Sequence, residues 1–249
     1  MRAPKWWELA IAMGLLATLA IILLPFFARA RESSRRASCQ NNLKQLGLVV
    51  KMYANESRGE RFPPRSPIPD NWILDMHAVY PEYLTDPNVL VCPDSPAASD
   101  TAFTLKKNRR HPNATIGQFH PDCATGQFYN YTGYTLHHDA QAQALFDAYQ
   151  RSTPGYVLDV DLEVALPEWG DDVDKFGGGS SNLPILWDRV PPTEEEFGHH
   201  PLGINILHLH GNVEFVRYSP YNAHANFPAT YLSAHTFGSA VPLLSPDCY

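Results

Sequence analysis

The 249-residue sequence contains no CxxC pair, no HExxH, no GxSxG, no EF-hand spacing and no glycine-rich phosphate loop. The first absence leaves a zinc ribbon or dithiol redox motif without support among Cys39, Cys92, Cys123 and Cys248. The others remove the usual signs of a zinc protease, a serine hydrolase, an EF-hand and a nucleotide site. No cysteine sits in a protease signature, and there is no internal repeat or low-complexity tract. Acids such as Asp159, Asp161 and Glu194–Glu196 are scattered through loop-rich sequence rather than set as a hydrolytic pair, so an enzyme is not expected. Positive charge is also short. Lys+Arg number 19 against 26 Asp+Glu, a net charge of -7, and Arg29, Arg31, Arg35, Arg36 and Lys44 all fall on one N-terminal stretch. The rest of the chain is therefore more acidic than the total, which disfavours nucleic acid as a partner.

Charge is missing altogether from Leu9 to Phe27, LAIAMGLLATLAIILLPFF. As a helix these residues span about 28 Å, close to one hydrocarbon core. In the charged stretch that follows, Cys39, Leu43, Leu46, Val50 and Tyr53 recur at helical spacing and make one apolar stripe. No Gly-Pro cluster separates the two parts. The pattern predicts one helix, membrane-soluble in its first half and packed on a domain in its second, ending near 55–58 with Gly59 as cap and Pro63-Pro64 beyond. The apolar run is longer than a secretory h-region and lacks a clean small-residue cleavage site, which favours a retained anchor. Glu8, just before the run, either sits at headgroup level beside Trp6 and Trp7 or is buried in the membrane. Burial there costs about 2.5–3.5 kcal/mol and demands a cationic partner. Arg2 and Lys5 precede the span and the arginines follow it, so loop charge alone would place the domain in the cytoplasm.

Beyond this spine (1–58), residues 59–249 are expected to form one α+β domain, a small antiparallel sheet with long loops laid on the amphipathic half-helix. Asp70 is the expected cap of a short helix carrying Trp72, Ile73, Met76, Val79 and Tyr80. Val89–Cys92 and Gln127–Tyr134 read as strands, and Asp139 as the cap of a helix with Ala142, Leu145, Phe146 and Tyr149 on one side. Pro184–Trp187 reads as a buried strand. GINILHL and VEFVRY around His210-Gly211-Asn212 read as a hairpin. The basic run 106–111 reads as a solvated loop, and 151–183 as a long acidic, glycine-rich excursion.

The order WELAIAMGLLATLAIILLP followed by ARARESSRRASCQNNLKQLGLVVKMYANE resembles the N-terminal helix of type IV pilins and type II secretion pseudopilins. The glutamate and proline that recur in that helix are Glu8 and Pro25 here. RRASCQNNLKQLG is similar to a large bacterial subgroup of prepilin-like proteins, with further landmarks at Tyr80–Leu84 and Cys92-Pro93. That subgroup ends in a hairpin with a histidine, nine residues and Asp-Gly. Here His200 is followed after nine residues by His210-Gly211, so histidine replaces the aspartate.

The resemblance implies a pilin-like fold and a single-pass subunit of the bacterial inner membrane with its domain outside the cytoplasm. Such a subunit assembles with itself or related pilin-like subunits in a surface or periplasmic filament. Its partners would include a prepilin peptidase, which methylates the new N-terminus, and secretion or pilus machinery, with Glu8 pairing with a neighbour's terminal amine. Counted back from Glu8, processing falls between Ala3 and Pro4, with alanine where the family has glycine. An uncleaved anchored domain that binds a polysaccharide or metal without polymerising is the alternative. Four buried thiols and one or two disulfides both remain open. In an extracytoplasmic domain the first pairing to expect is Cys39–Cys92 and the second Cys123–Cys248.

The 11 histidines raise a metal reading. His208 and His210, two apart on a strand, would share a face for zinc, with His199, His200, His137 or His138 as a third ligand. Surface and turn histidines are the plainer account. Asp171, Asp172 and Asp174 offer oxygens for calcium, although a solvated acidic loop fits them better.

Overall fold

The computed structural model describes residues 6–57, 61–99, 103–134, 136, 138–151, 183–219, 227–240, 242 and 244–248. Helix α1 runs unbroken over Trp6–Glu56 with Pro25 inside it. At 1.5 Å per residue it is about 76 Å long. Pro25 has no N–H to donate, so one i→i−4 bond is given up locally while the helix continues. The two halves behave as their compositions demand. In the second half Cys39, Leu43, Leu46, Gly47, Val49, Val50 and Ala54 are buried and Tyr53 is half-buried at the edge, a wider face than the predicted stripe. Gly47 lets α1 come close to the sheet: a Cβ there would lie 2.9 Å from Leu207 Cδ2.

The sheet has four antiparallel strands in the order β1 (Tyr129–Asn130), β2 (Pro184–Asp188), β3 (Gly203–His208) and β4 (Val213–Arg217). Strand alternation sorts its side chains into two cores. Tyr129, Leu186 and Leu207 join α1, whereas Trp187, Ile204 and Ile206 pack with Ala142, Leu145 and Tyr149 of α3 (Asp139–Arg151) and with Phe237. Trp72 closes this second core edge-to-face, 5.0 Å from the Tyr149 ring and 4.8 Å from that of Phe237. The β3–β4 hairpin is where the sequence places it, with Leu207 opposite Val213 and Gly211 at φ 92 in the turn. The fold is thus α+β, one long helix packed on a small antiparallel sheet.

Three local expectations are corrected. The short helix α2 covers only Met76–Val79 and is capped by Asp75, whose carboxylate accepts from His77 N. Asp70 does not cap it. The backbone before Met76 is spent on extended pairing: Ser66 N donates to Ile73 O, Tyr131 N donates to Trp72 O, and Arg65 bridges Leu74. Val89–Cys92 is not a strand. Asp86 accepts from Asn88 N and Pro87 starts the turn, which sets a 3-10 helix over Pro87–Leu90. The strand expected over Gln127–Tyr134 shrinks to Tyr129–Asn130, because Tyr131 N leaves the ladder for Trp72 O. The excursion read at 151–183 lies outside the described residues apart from its two ends, as does Gly59.

Candidate functional site

The first candidate surface is the uncovered half of α1. From Trp6 to Phe27 the described large apolar side chains are exposed by 38% (Leu23) to 82% (Trp6), so nothing in the described chain shields them. This helix is long and apolar enough to cross a membrane. Glu8 and Pro25 both lie on its backbone. The Ala3–Pro4 processing position lies outside the described residues.

The docked half is clamped covalently and by a polar knot. Cys39 on α1 is bonded to Cys92, and Cys123 to Cys248. Beside the first bond, the His199 ring is buried between two carboxylates, Nδ1 at 2.6 Å from Asp94 Oδ2 and Nε2 at 2.8 Å from Asp188 Oδ2. Both ring nitrogens face carboxylate oxygens, an arrangement that favours a proton on each and hence the imidazolium form. Burial opposes that charge, and the hydrogen bonds and charges of Asp188 and Asp94 outweigh it, raising the His199 pKa. Asp188 Oδ2 also accepts from Asn205 N and Nδ2, each at 2.7 Å. The knot therefore joins the end of β2, the middle of β3 and the loop after Cys92. Its fourth contact is with the spine: Arg36 of α1 lies 4.8 Å above the Phe215 ring, which stands edge-on to His199.

Gly198 makes the close approach of these loops possible. A Cβ there would collide with the Asp94 carbonyl oxygen and lie 3.0 Å from Ser95 N. Backbone cannot rotate away as a flexible side chain can, so Gly198→Ala should lower stability by about 1–3 kcal/mol. A thermal melt of the detergent-solubilised protein should show a fall of several degrees, and an unchanged melting temperature would mean that the loop has room to shift.

A second histidine group lies at the surface. His77 Nε2 is 2.6 Å from Asp122 Oδ1, and His111 Nε2 is 3.1 Å and His120 Nδ1 3.8 Å from Asp122 Oδ2. The His111 and His120 rings are 4.2 Å apart between centroids. Burial, and then the neighbouring His111, hold the His120 pKa below its ordinary value against the pull of Asp122.

The histidines singled out from sequence are not gathered in this way. His208 is buried, with Nε2 3.6 Å from Glu214 Oε2, beyond hydrogen-bond range, and neither ring nitrogen has a hydrogen-bond partner. His210 is exposed past the end of β3, and its carbonyl accepts from Lys51 Nζ on the spine. His200 donates its backbone N–H to Glu32 Oε1, also on the spine. Thus His200, His210 and Gly211, beside Lys51 Nζ, border α1 rather than line a metal site. Among the described residues the groups with metal-capable spacing are Cys39–Cys92–His199, whose sulfurs are bonded to each other, and His111–His120–Asp122. His208 and His210 are in neither group: β3 ends at His208 and the chain turns before His210. His137, Asp171, Asp172 and Asp174 lie outside the described residues. His138 donates no side chain to either group, and its carbonyl accepts from Gln141 N and Ala142 N at the start of α3.

Residues 28–71 match a protein family described as "Protein of unknown function (DUF1559)". No curated protein and no solved structure matches the chain. The matched stretch holds the arginine-rich turn, the docked half of α1 and the extended segment that leaves it, which is the part of the molecule where spine and domain are joined.

Proposed function

We propose that this protein is a structural subunit of a type IV pilus-like or type II secretion pseudopilus-like assembly, held in the bacterial inner membrane by α1 with its domain outside the cytoplasm. The observation that carries the reading is the division of one continuous helix into a bare apolar half and a docked half. A helix exposed on every side needs lipid before assembly and other helices after it. Leu48 and Met52, four residues apart, also stay exposed on the outer face of the docked half, where a neighbouring spine would pack. The family match at 28–71 includes RRASCQNNLKQLG, the segment that resembles prepilin-like proteins. Catalysis plays no part in this reading.

Glu8 gives the test. Within a bundle of apolar helices its carboxylate needs a cation, and the terminal amine of a neighbouring subunit is the partner that the resemblance supplies. Glu8→Ala should leave membrane insertion intact and abolish incorporation into the assembly, read by crosslinking in native membranes. Unchanged crosslinking with neighbouring subunits would remove the assembly role. The second reading, an anchored binding domain that does not polymerise, is favoured by the Ala3-Pro4 sequence at the processing position. Peptide mass on protein from its native membrane separates the two: a chain starting at methylated Pro4 supports assembly, and one starting at Met1 supports the anchored domain.

A further inference from the structure

We infer that His111, His120 and Asp122 form a binding site for a divalent transition metal of the zinc type, with His77 as the group that positions the carboxylate. The donor set is two imidazole nitrogens and one carboxylate oxygen, within 4.8 Å of one another. Imidazole-rich sets select zinc, copper or nickel over calcium and magnesium, which prefer oxygen alone. Zinc bonds of about 2.0–2.1 Å place tetrahedral ligand atoms about 3.3 Å apart. The contacts of 3.1 Å and 3.8 Å from His111 and His120 to Asp122 bracket that spacing, so small side-chain movements suffice. Three protein ligands leave a fourth position for water or a ligand group.

The surroundings of the site fit this role. His77 Nε2 holds Asp122 Oδ1 at 2.6 Å, leaving Oδ2 to the two other histidines, as an outer partner orients a ligating carboxylate. The frame is tied down: Asp122 sits in a 3-10 turn next to the Cys123–Cys248 disulfide. The loop that carries His111 is fixed by Arg110 N donating to Asp247 Oδ2, and by Lys106 N and Lys107 N donating to the Asp247 carbonyl. Two features oppose binding. His120 Nδ1 accepts a long hydrogen bond, 3.3 Å, from Asp122 N and must exchange it for the metal. The cationic groups at 106–110 are exposed, so salt screens their repulsion over about 8 Å. Neither matches the strength of several coordinate bonds in a held geometry.

This inference stands apart from the assembly reading, since a pilin-like subunit and a simple anchored domain could equally carry the site. The test uses the full chain in detergent, without a histidine tag, stripped by chelator and titrated with Zn2+ and with Co2+. One equivalent should bind, with the visible absorption of low-symmetry Co2+ and a rise in melting temperature as Zn2+ is added. His111→Ala and His120→Asn should each weaken Zn2+ binding by more than about 100-fold, the asparagine keeping a cap for the turn. His77→Gln should weaken it by about 10–100-fold, and His208→Ala should leave it unchanged. Absence of stoichiometric binding by a variant-free chain that melts cooperatively overturns the proposal. So does binding that survives both His111→Ala and His120→Asn. Normal affinity in His77→Gln removes the positioning role.

Discussion

Replacing His199 with alanine should destabilise the folded protein by about 3–5 kcal/mol, or a fall of roughly 10 °C in melting temperature for a domain of this size. The side chains of His199, Asp94 and Asp188 are 4–6% exposed, so water offers little compensation. Removing the ring leaves two carboxylates that it had held at 2.6 Å and 2.8 Å, facing one another without their shared cation. Asp188 keeps the Asn205 donors, and Asp94 has the larger loss. The cost lies in the partners left behind rather than in the worth of the pair. His199→Leu combined with Asp94→Leu should therefore lose less than the sum of the two single changes. A His199→Ala loss below 1 kcal/mol would mean that water reaches both carboxylates and that loop packing alone holds the knot.

The same ring gives stability a pH dependence of known sign. Its folded pKa is raised above the unfolded value of about 6.5. The folded state therefore binds the proton more tightly, and this contribution is complete below about pH 6.5. It fades as pH rises through the folded value. Denaturant midpoints of the wild-type chain should fall across that alkaline window, and His199→Ala should flatten the fall. A wild-type profile with the same slope as His199→Ala would show that the ring is not the titrating group.

The spine was legible because its signals are one-dimensional. Leu9–Phe27 has no charge and Cys39, Leu43, Leu46 and Val50 repeat at helical spacing, so no distant partner is needed to read either half. The hairpin was legible for a similar reason, since Gly211 marks the turn between two apolar runs. Short elements failed where backbone groups bond to remote segments. The sequence points to Asp70 as the cap, and only the pairing of residues 64–66 with 73–75 passes that role to Asp75. The polar knot is a stronger case. His199 meets partners 105, 11 and 6 residues away, and strand parity pointed instead to His208 and His210. The second cluster did carry a faint signal. His120-Pro121-Asp122 reads as a capped turn with a histidine and an acid held close, but nothing in its polar surroundings tells that His77 and His111 converge on it.

Removing the Cys39–Cys92 bond by the double change Cys39→Ala/Cys92→Ala should cost about 4 kcal/mol, close to the effect of losing His199. The bond closes a loop between residues 53 apart, and releasing a loop of that length returns roughly this much chain entropy to the unfolded state. Both sulfurs are buried, so their loss also removes packing beside Leu43 and His199. The consequence reaches past stability. Cys39 lies at the start of the docked face of α1, nearest the apolar half, and the bond ties that point of the helix to the chain just after the 3-10 helix Pro87–Leu90. Without it, the turn between the arginines and Leu43 should open first, unwinding the helix at the surface residues Arg35 and Arg36 so that trypsin can cut there while Leu46–Ala54 stays docked. Limited proteolysis in detergent reads this as a cut in the arginine-rich turn, well before global unfolding. Cys123→Ala/Cys248→Ala, whose bond joins the turn Pro121–Cys123 to residue 248 and does not touch α1, should lower the melting temperature without opening that turn. Equal proteolysis of both double variants would mean that the spine is held by its apolar face alone, and that the first disulfide adds stability without directing where the helix comes loose.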